Sequence, residues 1–167
     1  MRVAAALALL AAAGTLAAHA LAGPAALPTC RASQLRGSVL NSSGAAGTIA
    51  LSVTLRNAGA ACALRGYAGL QLRTAYRALP TRVLHGGLAF LNGTPRLVRL
   101  ARSAKASVLI AYEDVPVGNE TTCPTATRLA ARPPGQTGWL TIRATLDACG
   151  HGTLRESPVL AGVRRVS

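Results

Sequence analysis

The stretch TIALSVTL, residues 48–55, alternates apolar and small polar side chains with a period of two. In an extended chain, one side of this stretch carries isoleucine, leucine and valine, and the other carries mainly threonine and serine. The pattern predicts a half-buried strand whose polar side faces solvent.

Two further stretches show the same alternation. Residues 139–146 place Leu140, Ile142 and Leu146 on one side, which we expect to be the inner side. Residues 105–113 place Val108, Ile110 and Tyr112 on one side and Leu109 on the other. Shorter candidate strands cover residues 35–41, 67–74, 96–101, 127–131 and 153–159.

Clusters of glycine, asparagine, serine and proline separate the candidate strands, as at 43–44, 86–87, 92–93 and 133–135. Seven or eight short strands without a long helical periodicity predict an all-β fold, an antiparallel β-sandwich. The alanine-containing residues 74–84 could form a single helical turn. No linker or repeat divides residues 23–167, so we expect one domain there, ending in a short, basic and mobile C-terminal tail.

The N-terminal segment has the features of an export signal. After Arg2 no charged residue occurs before position 31, residues 3–10 are apolar, and small residues in Ala-x-Ala order end at Ala20 and Ala22. We expect residues 1–22 to be a signal peptide cleaved after Ala20 or Ala22, leaving a secreted or cell-envelope-associated protein without a transmembrane helix. The alternative is an uncleaved anchor, because the uncharged run is long enough to span a bilayer.

The four cysteines are Cys30, Cys62, Cys123 and Cys149. An even number of cysteines in an exported chain indicates disulfide bonds. We prefer the sequential pairing, Cys30 with Cys62 and Cys123 with Cys149, while the nested pairing, Cys30 with Cys149 and Cys62 with Cys123, stays open. The chain has no Cys-x-x-Cys pair, so the cysteine spacing does not indicate a zinc site.

The composition favours an anionic partner. The net charge is +13, and Lys105 is the one lysine among eighteen basic residues. Such a charge attracts phosphate-bearing envelope polymers, membrane surfaces or nucleic acid. One Trp, one Phe and three Tyr are few for stacking on bases, so we expect no nucleic-acid partner. The candidate arginines are Arg96, Arg99 and Arg102, a group made of Arg65, Arg73, Arg77 and Arg82, and Arg164 and Arg165 in the tail; solvated surface charge is the alternative explanation.

Matched catalytic groups are scarce. Asp147 and His151 lie close in sequence and could imitate the acid and base of a triad, but no Gly-x-Ser-x-Gly elbow accompanies them. Glu113, Asp114 and Glu120 could ligate calcium, although neighbouring side chains of a strand point to different sides. We expect no enzyme, no cofactor and no metal, with a hydrolase that uses His151 and Asp147 as the alternative.

Four local patterns together carry a family resemblance. They are Cys30 followed by Gln34-Leu35, Asn57 before CALRGYAGL (residues 62–70), Cys123-Pro124, and Cys149-Gly150 before Ser157-Pro158-Val159. In these patterns, residues 29–163 resemble the secreted actinobacterial proteins called domain of unknown function 4232. The resemblance implies an immunoglobulin-like sandwich and favours the sequential disulfide pairing. Ala68 stands where the family usually has proline, and Tyr112 where a tryptophan is common.

The family has no established activity, so the resemblance implies no catalytic residues. Gly66 and Tyr67 fit a structural role, a tight turn and a ring packed near the first disulfide. Our leading hypothesis is a non-enzymatic binding or structural module that contacts an anionic envelope polymer, lipid head groups or another protein through arginine-rich faces. A small-ligand carrier, which needs an apolar pocket between the sheets, is a further alternative. No pattern indicates an oligomeric state.

Overall fold

Residues 48–55 lie in the larger of two main sheets, inside a strand that extends to Asn57. The computed structural model describes residues 26–167, so the predicted signal peptide, with Ala20 and Ala22, lies outside the described residues. The strands are β1 (Leu35–Ala45), β2 (Thr48–Asn57), β3 (Cys62–Leu64), β4 (Gly69–Arg73), β5 (Arg82–His85), β6 (Val98–Leu100), β7 (Lys105–Glu113), β8 (Thr125–Arg132), β9 (Leu140–Asp147), β10 (Thr153–Glu156) and β11 (Leu160–Ala161). Short helical turns occur at Ala32–Gln34, Ala89–Leu91 and Cys149–Gly152.

The strands form two main sheets and one small one. The larger sheet has the order β1-β2-β7-β10-β5, with β11 also paired to β7. The second main sheet has the order β4-β8-β9, and β3 pairs with β6. All strand pairs are antiparallel except β5 with β10.

Both main sheets contribute to one apolar core. Leu51, Val53 and Ile110 of the larger sheet are buried in the same cluster as Leu129 and Ile142 of the three-stranded sheet. Alternate side chains of each strand therefore fill the space between two sheets, as in a β-sandwich. The predicted all-β class is confirmed, and the arrangement is compatible with the immunoglobulin-like form. Within residues 26–167, no helix is long and apolar enough to cross a membrane.

The strands that the sequence did not predict are short. β3 and β5 have three and four residues, and β11 has two. Alternation over so few residues is not distinctive. Residues 74–84 contain no helix, and their C-terminal end instead enters β5, which pairs with β10. The predicted turn at 43–44 is also displaced, because β1 continues to Ala45 and the hairpin turns at Ala46 and Gly47, both with positive φ.

The disulfides follow the sequential pairing. Cys30 bonds to Cys62 and Cys123 bonds to Cys149, with Cα atoms 4.9 and 4.6 Å apart. The first ties the N-terminal segment to β3, and the second ties the segment before β8 to the short helical turn that follows β9. This confirms the preferred pairing and rules out the nested one.

The predicted solvent-facing side of β2 and the predicted mobile tail are both wrong, for one reason. The C-terminal segment lies across the larger sheet, where Ser107 Oγ donates to Gly162 O at 2.9 Å and accepts from the Arg164 amide at 2.9 Å. Ser52 Oγ donates to Arg164 O, and Asn41 Nδ2 donates to Val166 O at 2.7 Å. Ser52 and Ser107 are consequently buried, and the tail is part of the folded domain.

Candidate functional site

Three arginines form a row across the outer surface of the three-stranded sheet. Arg73 of β4 lies opposite Arg128 of β8, which lies opposite Arg143 of β9. Residues that are directly opposite in antiparallel strands project to the same face, with Cβ atoms about 5 Å apart. The next residues along the same strands, Leu72, Leu129 and Ile142, pack in the core, so the arginines project to solvent. We call this surface the arginine face.

A β-bulge shapes the arginine face. The register of β8 against β9 shifts between Ala126 and Arg128, because two residues of β9, Ala144 and Thr145, lie opposite one residue of β8, Thr127. Thr127 and Arg128 are both exposed. A shallow groove of about 480 Å³ lies here, lined by Thr127, Arg128, Arg143, Ala144 and Thr145. The bulge therefore sets the position of Arg128 beside Arg143.

The arginine face has no acidic partners. In the described part of the chain, no arginine or lysine lies within 4.0 Å of a carboxylate, and the recorded ion pairs both involve histidines. Like charges placed directly opposite each other in a sheet are unfavourable. A guanidinium offers five N–H donors in a planar fork that matches phosphate and carboxylate groups. The row can therefore accept an anion without breaking an existing ion pair.

The candidate groups of arginines are only partly brought together. Arg73 belongs to the row, whereas Arg65, Arg77 and Arg82 are exposed elsewhere. Arg99 is exposed on the short strand β6, and Arg164 and Arg165 lie on the docked tail. Arg128 and Arg143, which complete the row, were missed. The outward position of Arg143 follows from the alternation of β9, but the position of Arg128 depends on the bulge.

Asp147 and His151 do not pair with each other. Asp147 Oδ1 accepts a hydrogen bond of 2.6 Å from Thr125 Oγ1. His151 Nδ1 lies 3.5 Å from Glu120 Oε1 instead. The acid–base pair of the hydrolase alternative is therefore not formed in this structure.

Glu120 stabilises the turn that follows Cys149. Its carboxylate accepts hydrogen bonds from the amides of Gly150 at 2.7 Å and His151 at 2.6 Å, and from Val117 at 3.3 Å. Gly150 and His151 both have left-handed φ angles, 62° and 57°, and such pairs turn successive N–H groups towards one anion. The hydrogen bonds from the backbone, that of His151 first, lower the pKa of Glu120. Glu120 thus serves as the bound anion of this turn.

Two of the three acids considered as calcium ligands are engaged separately. Glu113 Oε2 accepts a hydrogen bond of 3.0 Å from Thr48 Oγ1 on β2, and Glu120 is held by the turn just described. Among residues 26–167, no group of three or more histidines, cysteines or acids is placed to hold a metal ion. The space between the sheets, where a small-ligand carrier would bind, is occupied by the apolar side chains of the core.

The sequence did not lead us to single out Glu156, which is a buried acid in the structure. Glu156 is at the end of β10 beside His85 of the parallel strand β5, and its side chain is fully buried. His85 Nε2 lies 3.4 Å from Glu156 Oε1. The Tyr67 ring stacks on the His85 ring with the centroids 3.8 Å apart. The available signal was the spacing. Glu156 follows the inward-facing Leu154 by two residues, so its carboxyl falls on the core side of the strand.

Burial raises the pKa of Glu156 to about 8, and the nearby Ala68 amide offsets only a part of the rise. Neither carboxyl oxygen has a hydrogen-bond partner of good geometry. A protonated carboxyl is the form that such an apolar position favours. Tyr67 and His85 cover this acid, which gives the Tyr67 ring a structural role.

These features define a class: a disulfide-bonded, all-β domain with one sheet face covered by its own C-terminal segment and another that exposes unpaired arginines. The chain belongs to the family described as Domain of unknown function (DUF4232), whose model matches residues 30–160. No curated protein and no solved structure matches the chain. The family description includes no activity, so a function has to be argued from the arginine face.

Proposed function

We propose that this protein is a non-enzymatic binding module, exported to the cell envelope or beyond, that contacts an anionic polymer through the arginine face. The observation that carries the proposal is the row Arg73, Arg128 and Arg143, directly opposite one another and without a carboxylate partner. Phosphate or carboxylate groups spaced along a polymer are the ligand chemistry that such a row fits.

The distribution of the acids supports this proposal. Glu156 is buried and Glu120 is bound by backbone amides, while Glu113 and Asp147 accept hydrogen bonds from Thr48 and Thr125. Within the described residues, none of these carboxylates lies within 4.0 Å of an arginine, and the chain as a whole carries a net charge of +13. A surface with an excess of one charge attracts ions of the opposite sign and accelerates their association.

The export of the protein is supported by its disulfides and by the N-terminal sequence. Two disulfides persist in an oxidising compartment such as the cell exterior. Residues 1–22 have the features of a signal peptide. A polymer of the envelope is then the abundant polyanion that the domain would meet.

The experiment is a binding titration of residues 23–167 with poly(glycerol phosphate), at low salt and at several higher salt concentrations. Binding should weaken steadily with added salt, because bound counterions are released when the arginines contact phosphates. An uncharged polyglycerol of equal length is the matched control and should not bind. Absence of binding at low salt, or binding that salt does not change, would refute the proposal.

A further inference from the structure

A surface cleft at the edge of the arginine face contains the single tryptophan of the chain, Trp139. The cleft has a volume of about 620 Å³ and is lined from within residues 31–37 and 136–141. It lies where β1 passes beside β9. Gly37 permits this approach, since a Cβ atom there would be 2.5 Å from Ile142 Cγ1.

The Trp139 ring is held from outside the cleft. The guanidinium carbon of Arg132 lies 5.0 Å from the ring centroid, and Arg132 does not line the cleft. A cation over an aromatic ring at this distance is an attractive cation–π contact. The side chain of an exposed tryptophan is normally free to move. Here the contact with Arg132 restrains it, while the residue stays 46% exposed. The exposed part of the ring contributes to the wall of the cleft.

The same cleft contains two cationic side chains. Arg36 Nη1 donates to Ser33 O and to Leu35 O, both at 3.1 Å, so its guanidinium is oriented by the backbone. Arg31 lines the cleft as well, and neither arginine has a carboxylate within 4.0 Å in the part of the chain that the structure describes. The amide of Gln136 adds a neutral donor and acceptor.

We propose that this cleft binds a sugar ring that carries an acidic group. The inference rests on the proposed function and narrows its ligand from any polyanion to an acidic glycan. The C–H bonds on the flat side of a sugar ring match the electron-rich face of an indole. A carboxylate or phosphate on the same sugar would meet Arg31 and Arg36, and its hydroxyls would meet Gln136.

The cleft and the arginine row share strand β9, through Thr141 in the cleft lining and Arg143 in the row. Thr141 and Arg143 are alternate residues of β9 and project to the same face, and Trp139 immediately precedes the strand. Trp139 and Arg143 are four residues apart, which is about 14 Å along an extended strand. An extended oligosaccharide could therefore place a sugar at Trp139 and a charged group at Arg143.

The test compares three probes in calorimetric titrations: a hyaluronan octasaccharide, a neutral cellulose oligosaccharide and sugar-free polyphosphate. The hyaluronan probe should bind and change the fluorescence of Trp139, which is the sole tryptophan. Trp139→Ala should weaken hyaluronan binding about tenfold, a value within the usual range for an aromatic contact. It should leave polyphosphate binding unchanged.

Tyr76→Ala is the matched control, because Tyr76 is 95% exposed and lies away from the cleft lining. It should alter neither affinity. Trp139→Phe keeps an aromatic ring and should retain more hyaluronan affinity than Trp139→Ala. Thermal melting of each variant identifies any loss of folding.

The outcomes separate the two proposals. In one outcome, both polyphosphate and hyaluronan bind, and neither Trp139→Ala nor Trp139→Phe changes the affinity for hyaluronan. That result would overturn the cleft as the sugar site and keep the proposed function. Equal affinity for the neutral and the acidic oligosaccharide would overturn the acidic part of the inference. If neither polyphosphate nor hyaluronan binds at low salt, the proposed function itself fails.

Discussion

The outer faces of the two main sheets differ in whether another segment of the chain covers them. On the larger sheet, Ser52 and Ser107 are buried beneath the C-terminal segment and hydrogen-bond to its backbone. On the three-stranded sheet, Arg128 and Arg143 are exposed and no carboxylate lies against them. Serine hydroxyls match backbone groups, whereas a row of guanidiniums matches an anion.

We infer that the covered face mainly stabilises the fold and that the arginine face mainly binds the ligand. The covered face contains a second apolar cluster, formed by Leu91, Leu109, Ala111 and Val166, and it contributes to folding. The arginine face places like charges together and contributes little to folding. Substitutions on the first face should therefore change the free energy of unfolding, and substitutions on the second should change affinity.

The largest effect is expected from replacing the row with Arg73→Gln, Arg128→Gln and Arg143→Gln together. At about 1 kcal/mol for each cationic contact, affinity for poly(glycerol phosphate) should fall about 100-fold, and the salt dependence should become shallower. The melting temperature should stay the same or rise, since repulsion is removed. A triple variant of equal charge, Arg56→Gln, Arg96→Gln and Arg102→Gln, is the control. Equal losses in the two triple variants would contradict the comparison.

The next effect is a dependence of stability on pH. It arises from an acid in the interior, whereas affinity at the arginine face should not depend on pH. Because the pKa of Glu156 is raised from 4.5 to about 8, its contribution to stability is complete below pH 4.5 and is lost as the pH rises through 8. We expect denaturant titrations to show a loss of about 2 kcal/mol between pH values of about 6 and 8. Affinity should be constant over the same range, because arginine stays protonated.

Glu156→Gln should remove this pH dependence and give a protein more stable than the wild type at alkaline pH. His85→Gln, which leaves the carboxyl in place, should retain the dependence. A wild-type protein whose stability does not fall between these pH values would contradict the assignment of Glu156.

A smaller effect is expected from the covered face. Val166→Ala removes two methyl groups from a residue that is 8% exposed, and should lower the free energy of unfolding by about 1.5 kcal/mol. Val163→Ala, in the same segment but 48% exposed, is the matched control and should change it little. Urea denaturation measures both, and polymer affinity should be unchanged. Equal stability of the two variants would show that the tail does not cover the sheet in solution.

The smallest effect belongs to the turn at Glu120. Its lowered pKa means that its contribution is present above pH 4.5 and is lost as the pH falls through the lower, folded value. Glu120→Gln should flatten the acid limb of a stability–pH curve and leave affinity unchanged. An acid limb of unchanged slope would indicate that the carboxylate does not hold the Gly150 and His151 amides.

Alternation and cysteine spacing predicted much of the fold. Residues 105–113 form a strand with the predicted bounds, and Val108, Ile110 and Tyr112 lie in the main core while Leu109 lies in the second cluster. The polar side of β2 was assigned to solvent because the segment that covers it is more than a hundred residues away. Such a long-range contact leaves no periodic signal near Ser52.

The arginine face was only partly predictable for a similar reason. A strand pattern shows that Arg143 points outwards, but it does not show which residue of β8 lies opposite. That partner is set by the bulge of β9 at Ala144 and Thr145, opposite Thr127, since without the extra residue Arg128 would lie opposite a different residue of β9. The buried Glu156 could have been identified as an acid at an inward position of a strand.

The most direct test of the central claim is an amide chemical-shift map of the isotope-labelled domain during titration with poly(glycerol phosphate). We predict that the perturbed amides lie in β4, β8 and β9, around Arg73, Arg128 and Arg143, while those of Ser52 and Ser107 beneath the tail do not shift. Perturbations centred on the larger sheet, or spread evenly over all basic residues, would contradict the assignment of binding to the arginine face.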